Sequence, residues 1–228
     1  MTRYKKQDPE MTRRRFVNAA MGGAAAVGTL GLVSALGGAK PVLRITPDKA
    51  PPRAGDILVH ATAAKEGQII RPSEITDRVI QAWPMGKDQD GNDVIRKAEP
   101  NNLVGVQRFR KDSFKVPGEG EHVELKLEGI AEDGIVVYSN KCTHAGCSPE
   151  NYAKDTSKLF CSCHSGLYDP LQGCKVIGGP PPRAMPQLPI KVEGDRLVVT
   201  ETFVSAPFGF LNNLDWETYL QRVKEILG

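Results

Sequence analysis

Two short loops concentrate the side chains of this sequence that bind metals and carry redox chemistry. Residues 140–150 read NKCTHAGCSPE and residues 160–169 read FCSCHSGLYD. The 228-residue chain has five cysteines and four histidines, and these loops take four of the former and two of the latter. Thiolate and imidazole are the ligands of borderline and soft metals. Cys142 and His144 form C-x-H, while Cys161 and His164 form C-x-x-H, so each loop offers one sulfur and one nitrogen. Three chemistries draw on that inventory. A Cys2His2 zinc site uses four of the six residues, although zinc fingers keep their cysteines together and their histidines together. Disulfides in an exported protein use cysteines and leave both histidines idle. A [2Fe–2S] cluster with two thiolates on one iron and two imidazoles on the other uses both loops and leaves two cysteines free to pair.

The two loops resemble those of Rieske iron–sulfur proteins, whose motifs are C-T-H-x-G-C and C-x-C-H-x-G or close variants. Gly178, Gly179, Pro180, Pro181 and Pro182 resemble the proline loop that covers the cluster in that family. The likeness runs from about residue 56 to residue 203. Position by position it implies one Rieske-type [2Fe–2S] cluster held by Cys142, His144, Cys161 and His164, and a disulfide between Cys147 and Cys163. It also implies that Tyr168 sends its hydroxyl to a ligand sulfur. High-potential members carry serine two residues after the second histidine, where this chain has Gly166. With that donor missing, the expected potential lies low in the Rieske range, a setting suited to menaquinol. Cys174 is left over and reads as a buried, inert thiol.

The mixed ligand set has an electrostatic consequence. Two ferric ions, two sulfides and two thiolates sum to zero charge, whereas four thiolates leave the site at −2. An electron enters a neutral site more easily than an anionic one in a low-dielectric pocket. Rieske centres as a class accordingly span about −150 to +300 mV, against about −400 mV for plant-type clusters. A histidine ligand also keeps one nitrogen free to carry a proton, and the charge of the metal tunes its pKa. The resemblance therefore makes His144 and His164 the reacting ligands, with His164 the one that docks quinol.

These loops need rigid elements around them. Downstream of residue 56 the signals are short and β-like, as in DILVHA, RVIQAWPM, NLVGVQRF, HVELKLEGIA, GIVVYSN, KLFCSC, LPIKVEG and RLVVTETF. Gly194-Asp195 predicts a tight hairpin turn, and MGKDQDGNDVIRKAEPN reads as a polar excursion between strands. Trp216, Tyr219, Leu220, Val223, Ile226 and Leu227 recur at helical spacing, with Asp215 available as a cap. The fold class is all-β: the resemblance implies a Rieske-type antiparallel β-sandwich with a small cluster-binding subdomain. An N-terminal transmembrane helix precedes it and a short C-terminal helix ends it.

The N-terminal segment carries an address. Thr12-Arg13-Arg14-Arg15-Phe16-Val17 resembles the twin-arginine export signal. Residues 16–39 contain no charged side chain; as a helix they would reach roughly 36 Å, against about 30 Å for a bilayer core. The basic residues precede this run, which leaves the amino end in the cytoplasm. The expected organisation is residues 1–15 cytoplasmic with the signal, 16–39 a transmembrane anchor, 40–55 a proline-rich hinge, 56–206 the Rieske domain with its loops at about 140–183, and 207–228 a helical tail. A net charge of +3 is too small to point to nucleic acid. These features together suggest the Rieske subunit of a quinol-oxidising cytochrome bc-type complex in a bacterial cell membrane, with the domain on the periplasmic side. Its partners would be quinol, a cytochrome b-type subunit and a c-type cytochrome. The alternative is the Rieske small subunit of an exported molybdenum oxidase such as arsenite oxidase.

Overall fold

The computed structural model describes residues 17–19, 21, 45–118 and 123–227. The chain divides into two compact units, Met1–Arg44 and Ile45–Gly228. In the first, residues 17–19 and 21 are helical. The arginine motif and the rest of the anchor expected over 16–39 lie outside the described residues. Among the described residues no helix is long and apolar enough to cross a membrane.

The described residues of the second unit form eleven strands and one α-helix. The strands are β1 Ile57–His60, β2 Ile80–Lys87, β3 Asp93–Ile95, β4 Val104–Arg108, β5 Ile135–Ser139, β6 Glu150–Tyr152, β7 Asp155–Cys161, β8 Gly166–Asp169, β9 Lys175–Gly178, β10 Ile190–Glu193 and β11 Arg196–Val199; the helix, α1, is Asn213–Leu227. All these strand pairs are antiparallel. A seven-stranded sheet runs β10-β11-β1-β2-β4-β5, with β3 also on β2, and a four-stranded sheet runs β6-β7-β8-β9. The small sheet is an insertion between β5 and β10, and both Cys/His loops belong to this insertion.

Strand β5 lies between two hydrophobic cores and gives one face to each. Its five residues, IVVYS, are all buried. Successive side chains on a strand point to opposite faces, and Ile135 and Val137 join the core of the large sheet while Val136 and Tyr138 join Cys142, Leu159, Cys161, Tyr168 and Met185. Its outer edge is covered, because Leu188 N–H donates to Val137 O and Ser139 N–H to Pro186 O, both at 2.8 Å. Asn151 in β6 adds a second tie: it accepts from Val79 N–H at 2.7 Å and donates to Asp77 O at 3.0 Å.

The predicted β10–β11 hairpin forms, with Glu193 opposite Arg196 and Gly194 at φ +60°. Three local expectations are corrected. HVELKLEGIA forms no strand over its described residues; Lys126 instead exchanges backbone hydrogen bonds with the Gln187 side-chain amide, at 2.8 and 3.0 Å, and residues 127–129 turn as a 3-10 helix. The cap of α1 is Asn212, whose Oδ1 accepts from Asp215 N–H at 2.9 Å, so the helix begins before Asp215 rather than at it. Of the expected hinge over 40–55, residues 45–55 pack on the domain. Arg96 Nη1 donates to Pro47 O at 2.8 Å and Asn102 Nδ2 to Ala50 O at 2.8 Å, while Ala50, Pro51 and Pro52 are buried.

Candidate metal centre

The first Cys/His loop leaves the end of β5 and closes on itself. Asn140 N–H donates to Leu103 O, Cys142 N–H to Cys147 O and Gly146 N–H to Cys142 O, each at 2.8 Å. Gly146 sits at φ +76°, where a side chain is disfavoured. The second loop is the turn between β7 and β8, in which Cys161 pairs with Gly166 and Ser165 takes φ +59°. The proline loop presses on it. A Cβ on Gly179, itself at φ +80°, would lie 2.4 Å from Ser165 O, and a Cβ on Gly166 would lie 2.7 Å from Pro181 Cγ.

Within this frame the donors sort by type. Cys142 and Cys161 are buried, at 2% and 1% exposure, whereas His144 and His164 are exposed. The two imidazoles meet edge to face with ring centroids 4.5 Å apart. Cys147 and Cys163 are joined by a disulfide that links the two loops. The sulfurs of Cys147, Cys161 and Cys163 all lie within 4.8 Å of one another. Two of those three are spent in the bridge and offer no thiolate, so this trio is not a ligand set. The site thus has a sulfur end facing the interior and a nitrogen end facing solvent.

Burial pushes the Cys161 thiol above its ordinary pKa, and its hydrogen bond with Cys142 pushes the same way. A buried thiol beside a second sulfur gives up its proton most readily when a cation lies next to it. That is the chemistry of a metal-binding pair, and with two imidazoles beside it the donor set fits a cluster with mixed sulfur and nitrogen ligation. Tyr168 supplies further support. Its buried hydroxyl accepts from Thr143 N–H at 3.1 Å and donates to Cys142 Sγ at 3.1 Å. Burial, with the neighbouring Cys142, holds its pKa far above normal, so the hydroxyl keeps its proton. The backbone donor from Thr143 orients that proton toward sulfur.

Residues 104–189 match the model of the Rieske [2Fe-2S] domain. The cytochrome bc1 complex Rieske iron-sulfur subunit of Streptomyces lividans is 32% identical over 142 residues, which cover 62% of this chain and 76% of that protein. This chain belongs to the Rieske [2Fe–2S] family. The Rieske protein is also 43% identical over 130 residues to the "putative respiratory nitrate reductase subunit Rieske" of Haloferax mediterranei; these residues cover 54% of this chain and 58% of that one. Among solved structures, the soluble domain of Rieske protein II from Sulfolobus acidocaldarius aligns with 21% identity and a TM-score of 0.35, over 53% of this chain and 73% of that one. A Rieske domain binds a [2Fe–2S] cluster, and here Cys142, Cys161, His144 and His164 are the residues that could hold it. Cys174 is buried and unbridged, with its pKa raised well above the usual thiol value by burial and by Asp169. The bond from Thr143 Oγ1 to Arg183 O at 2.6 Å and the packing of the Phe208 ring at Gly146 were not legible in the motifs, because they join segments far apart in the chain.

Proposed function

We propose that this Rieske protein serves a quinol-oxidising cytochrome bc-type complex, taking one electron from quinol and delivering it to a c-type cytochrome. The observation that carries the reading is the polarity of the site: buried cysteines inside, exposed histidines outside with rings 4.5 Å apart. Cys142, Cys161, His144 and His164 are the proposed ligands, and the cluster, when bound, supplies a one-electron acceptor. The outer imidazole nitrogens of His144 and His164 face solvent. There His164 accepts a hydrogen bond from a quinol hydroxyl and then its proton, as a general base must within hydrogen-bond reach. Tyr168 donates its hydroxyl proton toward Cys142 Sγ, and Pro181 packs against the flank at Gly166.

The rest of the proposal concerns setting. Residues 16–39 anchor the protein in a bacterial cell membrane with residues 1–15 in the cytoplasm and the Rieske domain on the periplasmic side. The second quinol electron goes to a cytochrome b-type subunit. Menaquinol is the proposed quinol, because Gly166 lacks the hydroxyl that would raise the potential further. The Streptomyces lividans relative supports the assembly.

The Haloferax mediterranei relative, with the higher identity, favours a second reading as the Rieske subunit of another respiratory oxidoreductase. Purification of the native protein from membranes separates the two. Co-purification with b-type and c-type haem, with quinol-dependent reduction lost in His164→Lys, is the expected result. A molybdopterin subunit in place of the haems, or quinol turnover unchanged by His164→Lys, would overturn the first reading.

A further inference from the structure

A fourth segment of the chain reaches the first Cys/His loop. Arg183, directly after the triple proline, is half-buried, and its carbonyl accepts from Thr143 Oγ1 at 2.6 Å. Thr143 lies between Cys142 and His144. The guanidinium of Arg183 donates elsewhere, to three carbonyls of the segment after β11: Ala206, Pro207 at 2.9 Å and Phe210 at 2.9 Å. That segment is held at its far end as well. Ala206 N–H donates to Asn213 Oδ1 at 2.9 Å, and the Phe210 ring lies 4.9 Å from Trp216 and 5.1 Å from Tyr219, centroid to centroid. Between these two anchorages Phe208 lies on the loop: a Cβ added to Gly146 would sit 2.5 Å from its ring.

We propose that Arg183 is a positioning residue that straps residues 206–210 across the first Cys/His loop, making Phe208 a fourth wall of the cluster site beside the two Cys/His loops and the proline loop. A planar guanidinium spreads five donors over a fixed fork, and here two of its nitrogens reach the three carbonyls, whereas an ammonium radiates its three donors from a single atom on a flexible stem. Gly146 is required here twice over: by its φ of +76°, and because any side chain would displace the phenyl ring. The consequence is local. With the strap in place, the loop carrying Cys142 and His144 is held by the C-terminal segment as well as by the disulfide, and its Gly146 N–H to Cys142 O hydrogen bond is protected from opening. Its bearing on the cluster rests on the proposed ligand roles of Cys142 and His144, but not on the identity of the electron donor.

The test uses the full-length protein with its cluster. Arg183→Gln and Phe208→Ala should each accelerate hydrogen exchange at the Gly146 amide by about tenfold or more, the size expected when hydrogen bonds (Arg183) or the packing of a ring (Phe208) guarding a local opening are lost. Both should shorten cluster lifetime under chelator challenge and broaden the electron paramagnetic signal, while Arg183→Lys falls between them and the wild type. Wild-type exchange and wild-type cluster lifetime in Arg183→Gln and Phe208→Ala would overturn the proposal. Should Arg183→Gln fail to fold, Phe208→Ala decides by the same two readouts. Faster Gly146 exchange combined with iron retention in Cys142→Ser would remove the ligand assignment and leave the strap standing.

Discussion

The hydroxyl of Tyr168 lies 3.1 Å from Sγ of Cys142, and both residues are buried, so the bond forms where water cannot replace it. A hydrogen bond to sulfur stabilises the more electron-rich state of a bound cluster more than the oxidised one. Tyr168→Phe removes the donor and little volume. A differential of about 1–2 kcal/mol corresponds to roughly 40–90 mV for one electron, so the midpoint potential should fall by that order. Redox titration of the variant checks this, and an unchanged midpoint would show that the bond does not discriminate between redox states.

Gly166 stands where the family resemblance places a serine in high-potential members, and the reason that substitution is not free lies in the proline loop. The added Cβ would come within 2.7 Å of Pro181 Cγ. Gly166→Ser should therefore raise the midpoint potential while lowering stability by about 1–3 kcal/mol, the usual cost of overpacking. Combining it with Pro181→Ala should restore the stability. Thermal melts and redox titrations of the single and double variants measure both effects; a single variant as stable as wild type would mean that the loop yields easily.

The Cys147–Cys163 disulfide spans a sequence separation of 16. Opening it should cost roughly 3 kcal/mol in the chain-entropy account. It would also free two thiols within 4.8 Å of Cys161 Sγ, creating rivals for a metal. Cys147→Ser with Cys163→Ser should melt at lower temperature yet retain more iron than wild-type protein treated with a reductant, because only the latter gains competing thiolates. Equal iron loss in the two would rule out competition.

Asp56 and Arg96 form a bidentate pair at 2.6 and 2.9 Å, with side chains 3% and 1% exposed. Arg96 also holds Pro47 O. Arg96→Met should destabilise the domain by about 3–5 kcal/mol, since it strands a buried carboxylate, and should expose residues 45–55 to protease. Asp56→Asn with Arg96→Met should recover part of the stability without re-attaching Pro47. Denaturant melts and limited proteolysis follow the two effects separately.

The donors of the candidate site were legible because donor chemistry is local. Cys142, His144, Cys161 and His164 stand in two short runs whose spacing limits the metals they suit, and the tyrosine four residues after His164 belongs to the same run. The strands of the large sheet were readable for a similar reason, their β-branched residues lying between glycine, proline and asparagine breaks. The stretch at Val123 and Leu125 was not, because its alternation is satisfied by packing near Gly173 and by the Gln187 amide rather than by a neighbouring strand. The packed half of the proline-rich segment was equally hidden. Its composition reads as extended chain, and only distant Arg96 and Asn102 turn it into part of the domain.

The amino-acid order by itself determined which atoms are available to a metal and that each loop brings both sulfur and nitrogen, while the pairing of Cys147 with Cys163 came from the family resemblance and is seen in the structure. Tertiary structure decided their facing: sulfur inward against Tyr168, nitrogen outward to solvent, and the C-terminal segment drawn across one loop by Arg183. Ligand type is a property of single residues and short spacings. Burial and orientation depend on segments far apart in the chain closing on one another, and no local pattern encodes where they meet.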